Sequence, residues 1–484
     1  MTPLLILLTI LSYFVLLFVI SYLTGRKADN QSFFTGNRKS PWYLVTIAMI
    51  GSAISGVTFV SVPGMVESNS FAYLQMVLGF MVGQFIIAFV LIPLFYKMNL
   101  TSIYEYLESR FGVSTYKTGA WFFFISKMLG AAVRLLLICI VFQLLVFEPF
   151  HLPFWVNVVF TVGVVWLYTF KGGVKSVVWT DSLKTFCLVV SVGACIYYIS
   201  KDLGLNFSGM LSTIQESKMS RIFFFDDIND RRYFFKQFLA GIFTVIATTG
   251  LDQDMMQKTL SCKSYKDSQK NMVISGVMQL FVILLFLMLG VLLYTFAMRE
   301  NIPFPGKSDE LFPAIATGDY FPAIVSILFI VGLVSAAYAA AGSALTALTT
   351  SFTVDILNIK KETDRKVADT RKRVHVAMAV VMGIIIIIIN LLNNTSVIDA
   401  VYVLASYTYG PILGLFIFGI FTKKQVYDKY IPFVALLSPI LCLIIDKNSE
   451  AWFNGYRFSY ELLIMNATLT FLGLCLFIKK KEVR

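Results

Sequence analysis

Apolar stretches long enough to cross a bilayer recur from one end of this chain to the other, and little polar sequence separates them. A helix needs about 20 apolar residues to span the hydrocarbon core. The segments 3–24, 42–66, 71–96, 119–147, 153–170, 178–199, 232–251, 271–298, 319–352, 374–392, 396–421, 430–446 and 459–478 each meet or approach that length. They predict about 13 transmembrane helices and leave no room for a large soluble domain. Composition agrees: 57% of the 484 residues are hydrophobic and 14% charged, against about 25% charged in soluble domains. Mean hydropathy is +0.76. The fold class expected is an all-α polytopic membrane protein.

In a chain of this kind a net charge of +12 reads as basic loops flanking spans, not as a nucleic-acid surface. Basic residues fall in every second loop: Arg26, Lys27, Arg38 and Lys39; Lys97, Arg110 and Lys117; Lys171 and Lys175; Lys258–Lys270; Lys360–Arg373; Lys423 and Lys424; and the tail from Lys479. The short loops between them, VESNS, EPFHLP and NNTS, hold neither lysine nor arginine. The positive-inside rule then places the N-terminus outside and the C-terminus in the cytoplasm. The loop 200–231 mixes both signs. The opening stretch is expected to be a retained first span, being too long for a signal-peptide core. Six cysteines without metal-like spacing read as inert core residues. With only His151 and His375, there is little material for a membrane-embedded enzyme, and a sensor would need an attached domain.

Several spans carry polar groups at membrane depth. Gly51, Ser52, Ser55, Gly56, Thr58 and Ser61 crowd the second. Small residues there serve either close helix approach or a broken helix whose freed carbonyls line a cavity, with unwinding expected between Gly51 and Gly56. The fourth contains Lys127 and Arg134; a mid-membrane arginine is either paired with a buried acid or faces a cavity and attracts an anion. Asp181 lies one turn inside the sixth span with Lys184 a turn further on, a local ion pair or a cation ligand. Asp252, Gln253, Gln257 and Lys258 read as solvated residues at a helix exit, and Gly410–Pro411 as a kink. Ser343, Thr346, Thr350 and Thr353 form one hydroxyl stripe, preceded by Ala339, Ala340 and Gly342.

The segments GGVKSVVWTD (171–181), DQDMMQKTL (252–260), SALTALTTSFTVDIL (343–357) and YGPILGLFIFGIF (409–421) together make the chain resemble the sodium:solute symporter family, over nearly its whole length. The resemblance implies the leucine-transporter fold: an extra N-terminal helix (3–24), a five-plus-five inverted-repeat core (42–199 and 232–421) and two C-terminal helices (430–478). It implies alternating access and sodium-coupled uptake of a small polar solute, such as sialic acid, a sugar or another organic anion, across a bacterial inner membrane. Its sodium positions match the carbonyls of Gly51, Ile54 and Ala336, and two hydroxyl positions that are alanine here, Ala339 and Ala340. A second set matches Asp181 and Ser343. An acid position is Gly342. Sodium is thus expected to bind weakly, if a sodium ion is used at all; the alternative is a sodium-independent or proton-coupled carrier of the same fold. Substrate contacts are expected at Ser55, Thr58, Gln75 and Arg134, with Thr244 and Thr248 nearby. Its partners are then the solute, a monovalent cation and lipid, with no cofactor and no catalytic residues.

Overall fold

The computed structural model describes residues 3–25, 33, 36–100, 102–170, 173–304, 308–318, 320–359, 362–392 and 397–479. Arg26, Lys27, Lys171 and the 393–396 loop, which bear on the orientation of the chain, lie outside them. All the long elements are helices. In chain order they are α1 (Pro3–Gly25), α2 (Trp42–Ala53), α3 (Gly56–Gly64), α4 (Tyr73–Lys97), α5 (Val113–Phe142), α6 (Phe154–Thr169), α7 (Gly173–Asp202) and α8 (Phe234–Gly250). There follow α9 (Gln253–Thr259), α10 (Tyr265–Arg299), α11 (Ala323–Ile356), α12 (Asp364–Leu392), α13 (Val397–Phe421), α14 (Ile431–Lys447) and α15 (Leu462–Leu476). Among the described residues nine helices are long and apolar enough to span, or eleven when the bent pairs α2–α3 and α8–α9 each count as one. The shorter apolar helices α6 and α15 coincide with two more of the expected segments.

Large apolar side chains such as Val15, Val159, Phe186, Ile384 and Phe433 point outward, as a lipid-facing belt requires. Inside, α7 packs along α11 and α2, and α4 along α8. Glycine permits these approaches: a Cβ on Gly79 would overlap the Phe238 carbonyl, and one on Gly51 the Thr185 hydroxyl. Helix α13 continues without a break through Pro411, and Gly410 lies against Asn466. Position 410 therefore serves close packing on α15, in place of the kink that the Gly-Pro pair predicts.

The second span does break. Ile54 (φ −91°, ψ 89°) and Ser55 (φ −80°, ψ 173°) leave helical geometry, and α3 restarts at an angle of 57° to α2. The interruption falls inside the Gly51–Gly56 interval read from the sequence. A second interruption at Leu251–Asp252 turns α9 by 71° from α8. Each break opens one of the two expected halves of the core.

Candidate functional site

The two breaks face a cavity of about 100 Å³. Ser55 reaches it from the first break, Thr58 from α3, Lys127 and Arg134 from α5, Thr244 and Thr248 from α8, and Asp252 from the second break. Tyr73 and Tyr402 close one end, their hydroxyls 2.7 Å apart. Beyond that pair lies an open hollow of about 420 Å³ that Tyr73 also lines, together with Arg231, Arg232 and Tyr460.

Beside the cavity the protein buries a network of charge. Lys127 pairs with Asp254 Oδ2 (2.7 Å) and Asp252 Oδ2 (3.1 Å). Lys258 pairs with Asp181 Oδ2 (3.2 Å) and Asp254 Oδ1 (3.6 Å), and donates to the Ser52 hydroxyl. Lys184 Nζ donates to Asp181 Oδ1 (3.2 Å), to the Tyr338 carbonyl (3.1 Å) and to the Tyr168 hydroxyl (3.2 Å). Ser52 donates to Asp181 Oδ2 at 3.2 Å, Ser343 donates to Asp254, and Tyr409 donates to Asp252 Oδ2 at 2.5 Å. All six charged side chains are at most 5% exposed. Unpaired ions at such depth cost several kcal/mol each, so matching is what permits their burial.

Local structure explains the placement. Asp252 caps α9, its carboxylate accepting from the amides of Asp254 (2.9 Å) and Met255 (3.3 Å), where a helix start presents unpaired donors. One turn along α9, the i,i+4 spacing brings Asp254 and Lys258 to one face. Residues 252–258 are thus fully buried in the interior. The solvated helix exit expected for them is corrected by the second break, which turns α9 inward. A cluster of charges immediately after a glycine in an apolar segment was the available signal.

Three aspartates thereby match three lysines, and Arg134 is left over. Among the described residues no ion pair or hydrogen bond engages its guanidinium, which is half-buried at the cavity wall. Of the residues expected to contact solute, Ser55, Thr58, Arg134, Thr244 and Thr248 come together at the cavity. Gln75 does not. It is buried behind Tyr73, donating to the Arg232 carbonyl (2.9 Å) and accepting from the Phe224 amide (3.2 Å), and so fastens the 221–234 loop.

Of the expected cation positions, Gly51, Ile54 and Asp181 cluster at the first break, with Gly51 close to Asp181 and Thr185. Ala336, Ala339 and Ala340 are buried on α11 and do not line the cavity. Gly56 packs on the neighbouring Ala337. The space a side chain at Gly342 would occupy is filled by the Tyr168 hydroxyl. Along the hydroxyl stripe, Thr346 and Thr350 donate to the carbonyls one turn back, Gly342 (2.9 Å) and Thr346 (3.0 Å), and Thr350 also accepts from Gln257 (3.1 Å). The Gln257–Thr350 bond ties α11 to α9.

Comparison with known proteins agrees with this architecture. Residues 33–427 match the family model described as "Sodium:solute symporter family". The chain is 23% identical over 430 residues to the sodium/sialic acid symporter NanT of Aliivibrio fischeri, covering 83% of this chain and 80% of the relative. It is 23% identical over 409 residues to the sodium/iodide cotransporter of Homo sapiens, covering 82% of this chain and 62% of the relative. A solved structure of a Na⁺-coupled sialic acid symporter, in a substrate-bound outward-open state, superposes with a TM-score of 0.84 at 17% identity, covering 98% of each chain.

Proposed function

The chain belongs to the sodium:solute symporter family, and from that premise we propose that it carries a small organic anion across a bacterial inner membrane by alternating access, with Arg134 holding the anionic group. It is a multi-pass secondary transporter and not an enzyme. The observation that carries the proposal is the charge balance of the site: three buried aspartates are claimed by three lysines, and the cation left at the cavity wall is Arg134. A carboxylate there gains a charge-assisted hydrogen bond without displacing any existing ion pair. Ser55, Thr58 and Thr248 supply neutral hydroxyls around it. Two named relatives move sialic acid and iodide, both anions.

The halves 42–199 and 232–421 form the inverted-repeat core, each opening with its broken helix. The N-terminus lies outside and the C-terminus in the cytoplasm, so the Tyr73–Tyr402 pair shuts the outer side. The cavity of about 100 Å³ holds a solute of about six to ten heavy atoms, at roughly 10–15 Å³ per water-sized group. A larger solute such as sialic acid needs the outer pair to part. Of the two coupling modes expected, the lysine-matched acids favour the sodium-independent one.

The test is uptake into proteoliposomes of a labelled panel: lactate, pyruvate, sialic acid, iodide, glucose and proline. Saturable uptake of one of the anions, competed by unlabelled anion and not by glucose, is the expected result. Uptake confined to glucose or proline refutes the anion assignment.

A further inference from the structure

Lys184 has the surroundings of a bound metal cation and none of a surface lysine. Its side chain is 0% exposed. Its ammonium meets three oxygens of three kinds: the Asp181 carboxylate at 3.2 Å, the Tyr338 carbonyl at 3.1 Å and the Tyr168 phenol at 3.2 Å. These come from α7, α11 and α6. Both oxygens of Asp181 are engaged, because Lys258 and Ser52 hold Oδ2, each at 3.2 Å. Ser52 lies in the last turn of α2 before the first break, and Lys258 sits on the short helix after the second. One carboxylate with its two ammonium groups therefore ties both broken helices to α7 and α11.

We propose that the Lys184 ammonium is a covalently attached cation that holds the first break against α11, so that this carrier needs no sodium for the step. The inference rests on the carrier reading above and concerns only its coupling. Two observations oppose an added alkali ion here. The carboxylate such an ion would need is already neutralised, and the space beside Gly342 holds the Tyr168 hydroxyl, itself bonded to the Tyr338 carbonyl at 2.5 Å. A sodium ion about 4 Å from the ammonium would be repelled enough to weaken its binding about a thousandfold, taking an effective dielectric constant near 20. The donor set does not fit sodium while Lys184 is present.

The experiment measures ²²Na⁺ binding by scintillation proximity, and melting in nanodiscs with sodium, potassium or N-methylglucamine chloride at equal ionic strength and without solute. Wild-type protein is expected to bind no ²²Na⁺ saturably up to 100 mM and to melt at the same temperature in all three salts. Lys184→Ser removes the attached charge and frees Asp181 Oδ1; it is expected to gain saturable ²²Na⁺ binding at least tenfold tighter than any wild-type signal, with a sodium-specific rise in melting temperature. Saturable millimolar sodium binding by the wild type overturns the inference. So does a folded Lys184→Ser variant that gains none. If that variant does not fold, the wild-type measurement alone decides. Failure of every solute in the uptake panel would refute the anion-carrier reading, and the sodium measurements would still stand or fall on their own.

Discussion

Gly51 sets how closely the first broken helix approaches α7, and its replacement by alanine tests that contact quantitatively. A Cβ at position 51 would overlap the Thr185 hydroxyl and lie 3.2 Å from the Thr185 Cβ and 3.4 Å from the Asp181 carbonyl. The hydroxyl is not free to move away, since it donates to the Ile47 and Asp181 carbonyls, each at 2.8 Å. Overpacking of this kind costs about 1–3 kcal/mol, offset by at most about 1 kcal/mol from the better helix propensity of alanine. Thr185→Ala alone forfeits one shared hydrogen bond, about 0.5–1.5 kcal/mol. In the double variant the obstructing oxygen is gone; the 3.2 Å methyl contact, which a shift of a few tenths of an ångström relieves, and the ordinary 3.4 Å contact with the Asp181 carbonyl remain. The two changes should then be less harmful together than the sum of their separate effects, with a coupling of about 1–2 kcal/mol. Melting in nanodiscs should rank Gly51→Ala lowest and the Gly51→Ala/Thr185→Ala pair above it. A double variant that melts below both single variants would refute the claim that the 51–185 contact holds α2 in register with Asp181.

Arg134→Ala should weaken binding of a carried carboxylate by about 10- to 100-fold, the worth of one charge-assisted hydrogen bond, and leave its uncharged amide analogue within about threefold; isothermal titration of both ligands checks this. Tyr73→Phe or Tyr402→Phe removes the hydroxyl pair that closes the cavity. Either should raise the open population about two- to tenfold, read as faster maleimide labelling of a cysteine placed at Thr58. In the outer loop, the hydrogen bond from Arg232 holds the Asp230 carboxyl below the ordinary carboxylate range. A lowered folded value means its contribution is complete above the unfolded value near pH 4 and is lost as pH falls through the folded one. Hydrogen exchange in 226–234, corrected for intrinsic rate, should be unchanged from pH 8 to 5 and rise below about pH 4.

Periodicity and run length alone specify much of this protein. A bilayer leaves the backbone no partner but itself, so an apolar run of sufficient length must be helical. The crowding of glycine and serine at 51–56 marked the interval where the second span could open, because small residues are where a helix can open without losing packed side chains, but it served close helix packing equally well, and the structure decided for the break. Arg134 stood out for the same reason of depth: a charge halfway along an apolar helix has few uses. Gly410–Pro411 shows the limit of such reading. The proline sits within an unbroken run of helix, and the glycine beside it answers to Asn466 on another element.

The partners of the charges were decided only by the tertiary structure. Lys127, Asp181, Asp254 and Lys258 come from three segments far apart in sequence, and nothing local distinguishes a lysine that ends in water from one that ends on a buried carboxylate. Helical spacing offered Lys184 to Asp181 at i,i+3, but not the Tyr338 carbonyl from α11 or the Tyr168 hydroxyl that fills the space beside Gly342. Turning α9 by 71° converts what reads as a hydrated helix end into the inner wall of the site. Hydrophobic pattern is a property of each segment and is legible along the chain; electrostatic matching is a property of pairs, and exists only once the helices are packed.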